Sequence, residues 1–433
     1  MAVRLRRGNW RGTVAGFVLA AVSAIMSGAV LAANLTVSPG AGSLADAVAK
    51  ARPGDTLILE PGIHAGPVVI DKSVIVEGRS GAVVQGSGRG STIRVSAPDV
   101  ILRGLTVTGS GSSLATMDSG VFVDKSGDRA QIEGNRIEGN LFGVYLWGPN
   151  DAIMRGNTVI GRRTRHVNQR GNGVSLWNTP GSIVEGNDFQ YGRDGIFTTT
   201  SRRNIFSNNR FRNLRIAVHY MYTNDSRVSD NLSEGNHAGF ALMFSRNLEV
   251  SGNRSLGDRD HGIMLNYAND SVIEDNQVKN GKTKCVFIYN SHKNVFRNNL
   301  FEGCPIGIHF TAGSERNRIT SNAFIANRTQ VKYVGTRDLD WSHGGRGNYW
   351  SDNPAFDLNG DGVADTAYRP NDMVDRVVWA HPTAKLLLNS PSMQVLRWAQ
   401  SVFPALHPGG VIDSAPLMHP PQTGNAEKRN SPT

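Results

Sequence analysis

Through the middle of the chain, short apolar runs recur at regular intervals, and each is cut off by Gly, Asn or Asp. Inside a run, apolar and polar positions alternate, which is the period of a strand with one buried face. The Asn before each new run falls at Asn135, Asn157, Asn187, Asn209, Asn231, Asn253, Asn276, Asn299 and Asn322, so the steps are 22, 30, 22, 22, 22, 23, 23 and 23. A unit of that length is too short for a βαβ crossover, which needs about 30 residues or more. It fits one coil of a parallel β-solenoid, whose inner side chains are buried only when the next coil stacks on them. The fold class predicted is therefore all-β, a parallel β-helix over 33–334. The single step of 30 marks an insertion, "GRRTRHVNQRG", a basic loop on one side of the stack.

Aligned on the period, one strand per coil reads GVSLWN, GIFTTT, AVHYMY, GFALMF, GIMLNY, CVFIYN and GIHFTA, from 173 to 312. Its second and fourth positions are apolar in nearly every coil, and Val218, Phe240, Ile263, Val286 and Ile308 are predicted to stack inside. The third and fifth positions then point outward. The third column holds Phe197, His219, Met264, Phe287 and His309, and the fifth holds Trp177, Met221, Met243 and Tyr289. Neighbouring coils lie about 4.8 Å apart. His219, Met221, Met243 and Met264 are thus expected in one patch on one face.

Both ends of the array need covers. In "GSLADAVAKARPGDTLIL", Ser43 suits an N-cap and Pro53-Gly54 a stop, which predicts a short capping helix. Beyond Val334 the period dissolves into a C-terminal region, 335–421. There "SPSMQVLRWAQSVF" predicts a docked helix with Ser390 as cap, Pro391 first, and Val395, Leu396, Ala399, Val402 and Phe403 on the packed face. Residues 422–433 read as a disordered tail.

The 433 residues carry a net charge of +10. Arg4, Arg6, Arg7 and Arg11 precede the apolar run Val14 to Val30, and Val30-Leu31-Ala32 ends in small residues, so 1–32 reads as a secretory signal. No later stretch is apolar for 18 residues, and a soluble exported chain of charge +6 is expected. The remaining basic residues are scattered without aromatic interleaving, which argues against a nucleic-acid partner. Two cysteines, Cys285 and Cys304, are too few for a disulfide scaffold. Regular stacking would hold them about 10 Å or more apart, so separate thiols and a bond through a bent corner both stay open.

Thioether plus imidazole without carboxylate is a soft ligand set, suited to transient Cu(I) and not to Ca²⁺ or Mg²⁺. The plainer reading of the same face is an apolar docking surface of Met with Trp177, Phe197, Phe287, Tyr289 and His309. The two are compatible, since a metal carrier must dock with what it loads. In "DLNGDGVAD", Asp357, Asn359, Asp361 and Asp365 are spaced as in an abbreviated Ca²⁺ loop, although Tyr368 stands where the usual twelfth-position Glu would be. An Asx turn without an ion is the alternative. A catalytic reading would draw on Asp194, Asp258, Arg259, Asp260 and His261, all at coil corners where Asp is common for turn chemistry alone.

The blocks "YGRDGIFTTTSRRN", "AVHYMYTNDS", "GFALMFS", "DRDHGIMLNYANDS", "KCVFIYN", "GIHFTAGSERN" and "GNYWSDNPAFDLNGDGVADTAYRP" resemble the NosD family, in order and at matching coil spacing, and the resemblance runs to about Met418. It implies a right-handed parallel β-helix in the periplasm. It also implies a non-catalytic factor that helps assemble the copper–sulfide centre of nitrous oxide reductase, with an ABC transporter (ATPase and permease) and a membrane-anchored copper chaperone as partners. No family ligand motif lies on the patch residues, which rest on the columns alone. The reading from another class is a carbohydrate-active β-helix enzyme, a hydrolase, lyase or epimerase.

Overall fold

Three parallel sheets run the length of the molecule, and each coil visits them in turn. Sheet I has 13 strands from Asn34–Val37 to Arg318–Ile319, sheet II has 12 from Val68–Ile70 to Thr329–Val334, and sheet III has 13 from Gly62–Ala65 to Tyr349–Trp350. The computed structural model describes residues 32–422 except 312, 336, 389 and 404–408, so the expected export signal, Ala32 apart, and the expected tail, Gln422 apart, lie outside the described residues. The winding is that of a right-handed parallel β-helix. Val218, Phe240, Ile263, Val286 and Ile308 stack in the core as the period requires, each at most 1% exposed.

The corners explain the period. Between sheets I and III the Asn side chains form a ladder: Asn157 Oδ1 accepts from the Asn135 backbone N–H at 2.9 Å, and the pattern repeats coil by coil to Asn322. A turn cannot leave its amides unpaired in a dry corner, and Asn supplies both an acceptor and a donor there. The ladder continues one step further than the regular spacing shows. Asn348 Oδ1 accepts from the Asn322 N–H at 3.1 Å, and Asp413, fully buried, closes the series by accepting from the Asn348 N–H at 2.6 Å and the Trp350 indole N–H at 2.8 Å. Sheet III accordingly gains Tyr349–Trp350 beyond Val334.

At the N-terminal end, helix α1 (Ser43–Lys50) buries Leu44 and Val48 against the first coils. Gly42, in the left-handed region, occupies the N-cap, and Ser43 is the first helical residue instead of the cap. Lys72 Nζ donates to the carbonyls of Val48, Ala49 and Ala51, where a cation suits the helix C-terminus. At the other end, Trp341, Trp350 and Tyr368 stack over Phe324, the Trp350 ring centroid 4.4 Å from that of Phe324. Helix α2 (Met373–Ala380) and helix α3 (Pro391–Val402) pack on each other through Val374, Val378, Met393 and Leu396. Ser390 caps α3 and Pro391 begins it, as expected, but the packed face differs. Val395, Val402 and Phe403 are exposed, and Met393 and Gln400 are buried in their place, because α2 meets the other side of the helix.

The two cysteines form a disulfide, with their Cα atoms 5.7 Å apart. Counting register along the strand overestimates the gap because Cys304 sits in a corner column, Asn236, Asp258, Gly281, Cys304, Asn327, and not in the strand. Gly281 offers no side chain one coil below, and a Cβ there would lie 3.1 Å from Cys304 Sγ. Cys285 takes the strand-entry position that is Gly239, Gly262 and Gly307 in the coils around it. The vacated corner brings both sulfurs together.

Candidate metal centre

The outer face of sheet II is ordered by strand register. His219 pairs with Ala241 and Ala241 with Met264, while Met221 pairs with Met243 and Met243 with Asn266. Met221 and Met243 are therefore one rung apart and His219 and Met264 two, about 4.8 and 9.6 Å along the stack. Ala238 and Ala241, both buried, form a low floor between taller walls. The three methionines around it are half-buried.

His219 lies on this face but is only 8% exposed. Its Nδ1 donates to Asp194 Oδ2 at 3.0 Å, and the Arg215 guanidinium grips the same carboxylate through Nε at 2.7 Å and through its terminal nitrogen. The patch was expected to lack carboxylate; Asp194, 1% exposed, is bonded directly to its imidazole. Burial pushes the Asp194 carboxyl up, but the bonds from His219 and Arg215 outweigh it and hold the group below its ordinary value. The arrangement fixes one tautomer and leaves Nε2 as the lone-pair nitrogen, the usual way a partner aims a histidine at a metal.

His261 belongs to the same patch. As a corner residue it reads as a catalytic candidate, yet it stands on the outer face three residues before Met264 and one rung from Ala238. Phe287 lies between His261 and His309, with ring centroids 5.2 and 5.0 Å away. Burial, and then Lys332 and Lys284, pull His309 down to about 4, and burial lowers His261 as well, so both are neutral imidazoles at pH 7. Among the described residues no group of three or more His, Cys, Asp or Glu is assembled for a metal. What the face offers an ion is thioether and imidazole.

The remaining catalytic candidates are dispersed. Asp258 is buried in the corner column, accepting from the Ser233 and Ser255 hydroxyls and the Asn236 N–H, and burial pushes its carboxyl up to about 6. Asp260 sits beside His261 and His237, and Arg259 is exposed. In the "DLNGDGVAD" loop the oxygens turn to the backbone. Asp357 accepts from the N–H groups of Gly360 and Gly362, Asn359 from Asp361, Asp361 from Val363, and Asp365 from Leu358. The Asn359 and Asp361 bonds span two residues, as in Asx turns, and the Asp357 and Asp365 bonds reach farther across the loop.

Along the margin of sheet II runs a feature that alternation hides. Trp177 stacks on Trp147 at 5.7 Å, and farther along Tyr222, Phe244 and Tyr267 stack at 5.1 and 5.2 Å before meeting Tyr289 at 5.9 Å. Tyr222, Phe244 and Tyr267 occupy the sixth strand position with φ of 50°, 50° and 52°, the left-handed region that bulky residues avoid. Alternation would turn that position inward, and the left-handed turn swings it out. Phe197 packs edge-on to His219 at 5.1 Å.

A family model described as "Periplasmic copper-binding protein (NosD)" matches residues 158–355. A Stutzerimonas stutzeri protein named "Probable ABC transporter binding protein NosD" is 43% identical over 389 residues, covering 87% of this chain and 89% of that one. A Pseudomonas aeruginosa protein of the same name is 42% identical, covering 87% and 93%. Among solved structures, a Yersinia enterocolitica family 28 exopolygalacturonase matches at a TM-score of 0.54 and 11% identity over 70% of this chain and 77% of its own, a likeness of fold alone.

Proposed function

Because the chain belongs to the NosD family of periplasmic copper-binding proteins, we propose that it is a non-catalytic assembly factor that holds Cu(I) transiently on the outer face of sheet II. One observation carries this reading: the register that sets His219, Met221, Met243 and Met264 on three neighbouring rungs around the Ala238–Ala241 floor. Soft donors that are half-buried favour Cu(I), and their openness lets the ion arrive and leave. Asp194 aims the His219 Nε2, and His261 adds a second imidazole. The aromatic margin, with Trp177, Phe197, Phe287, Tyr289 and His309, is the docking surface for the protein that gives or takes the ion. In this reading the partners are an ABC transporter, a membrane-anchored copper chaperone and nitrous oxide reductase, whose copper–sulfide centre is the destination.

Replacing Met221, Met243 and Met264 together by Leu keeps volume and apolar area nearly constant, so packing against a partner survives while the thioethers are lost. The triple variant is expected to lose at least tenfold in Cu(I) affinity in a competition titration with a chromophoric chelator, and reductase matured beside it is expected to be copper-poor. Unchanged affinity together with full copper content would make the face a docking surface only.

A further inference from the structure

On the margin of sheet II opposite the aromatic ladder, loop 161–171 meets the corner that leads out of sheet III. Two hollows of about 370 and 490 Å³ open there. They share Arg170 and Arg259 and so form one cleft, with Arg163 and Tyr191 at one end and Arg215 and His237 at the other. The guanidinium of Arg163 lies over the Tyr191 ring at 3.7 Å, and Arg170 Nε donates to the Thr164 carbonyl at 2.7 Å, so both are oriented by their own surroundings. Arg215 is held by Asp194.

The charge is unusual for this molecule. On the flanks of the solenoid, arginines ladder with carboxylates from coil to coil, as in Arg103 with Glu77, Arg210 with Glu234 and Arg297 with Glu274. In the cleft, Arg163, Arg170 and Arg259 form no ion pair among the described residues, and the rim carboxylate, Asp260, is turned to His237 and His261. Half-buried Arg193, two residues from Tyr191, has its pKa lowered by burial first and by the charge of Arg215 second, with Asp194 acting in the other direction. The cleft spans four successive coils, from Tyr191 to Arg259, about 14 Å along the stack. That is long for an inorganic oxyanion and matches about four residues of extended peptide. It also adjoins the soft-ligand patch through Arg215, the neighbour of the strand Ile216–Asn224.

We propose that this cleft binds an acidic segment, a short run of Asp or Glu, on the protein that docks against sheet II. The proposal takes from the functional reading only that a protein docks there, and it stands or falls apart from copper. A fluorescein-labelled hexaglutamate peptide, measured by anisotropy on the full protein at low and moderate salt, is the probe. Saturable binding is expected, weakened at least tenfold in R170E/R259E, weakened less in R163Q/R259Q, and kept within twofold in M221L/M243L/M264L. It is also expected to stay within twofold in R79E/R318E, which makes the same charge change at exposed arginines elsewhere on the solenoid. No saturable binding, equal losses in the two charge-reversal variants, or displacement of the peptide by an equal concentration of inorganic sulfate would overturn it. If R170E/R259E melts early, the neutral pair R163Q/R259Q decides: a loss greater than that of R79E/R318E supports the proposal, and a loss no greater overturns it.

Discussion

At the scale of single residues, two buried aspartates illustrate opposite uses of one side chain. Asp194 is held ionised by His219 and Arg215, so its contribution to stability is present above the ordinary carboxylate range and disappears only as pH falls through its lowered value. Asp258 occupies a position that is Asn236 and Asn327 elsewhere in the same column, and burial lifts it to about 6. Its folded value lies above its unfolded one, so stability is full in acid and is lost as pH rises through 6. At about 1.4 kcal/mol per pKa unit, ionisation costs on the order of 2–3 kcal/mol by pH 8. Asp258→Asn keeps the acceptor for the Asn236 N–H and cannot ionise. It is expected to melt close to the parent at pH 4 and several degrees above it at pH 8, by calorimetry at the two pH values. Equal shifts at both would show that ionisation of Asp258 plays no part.

Among the repeating elements, the sixth strand position is the most informative. Thr200 and Asn290 fill it in the coils on either side and Asn178 in the coil before Thr200, and Asn tolerates the left-handed region at little cost. Tyr222, Phe244 and Tyr267 fill it with rings that strain the backbone by about 1 kcal/mol or more each and leave Tyr222 and Tyr267 about half exposed. A costly choice repeated in three successive coils points to a surface kept for use. The triple replacement Y222N/F244N/Y267N, which brings in the residue found there at Asn178 and Asn290, is expected to hold the melting temperature within a few degrees while weakening partner capture at least tenfold in a pull-down with the reductase. A large drop in melting temperature would make the ladder structural instead. None of this was legible in the sequence, because period-two alternation assigns the sixth position to the core and only the left-handed corner turns it outward. The inward columns and the outward Met and His columns were legible, since a coil of 22 or 23 residues fixes register without regard to detail. The α2 helix carried a readable signal in Asp372 and Asp375, which form a capping box, while the packed face of α3 depended on a partner helix that periodicity cannot reveal. The cysteine bond was hidden for a related reason: it needs Gly281 to empty a corner, a contact between columns and not within one.

For the molecule as a whole, the ends decide how much of the stack behaves as one unit. The N-terminal helix closes one mouth, and Asp413, returning from far along the chain, closes the ladder at the other. The loop at Asp357 hangs beside this cap with its oxygens satisfied by backbone N–H groups, so EDTA is expected to leave the melting temperature unchanged; a drop that added Ca²⁺ reverses would assign the loop to an ion. Closed in this way, the solenoid is also a ruler. Its rungs are joined by hydrogen bonds parallel to the long axis, and such a rod resists both stretching and compression. The strand bearing His219 is the seventh of the twelve in sheet II, which sets it about 29 Å from the first rung and about 24 Å from the last. Whatever grips either end meets the soft-donor patch at a fixed height, so any movement that brings cargo to it or takes cargo away must be made by the gripping machine, with the rod turning as one piece.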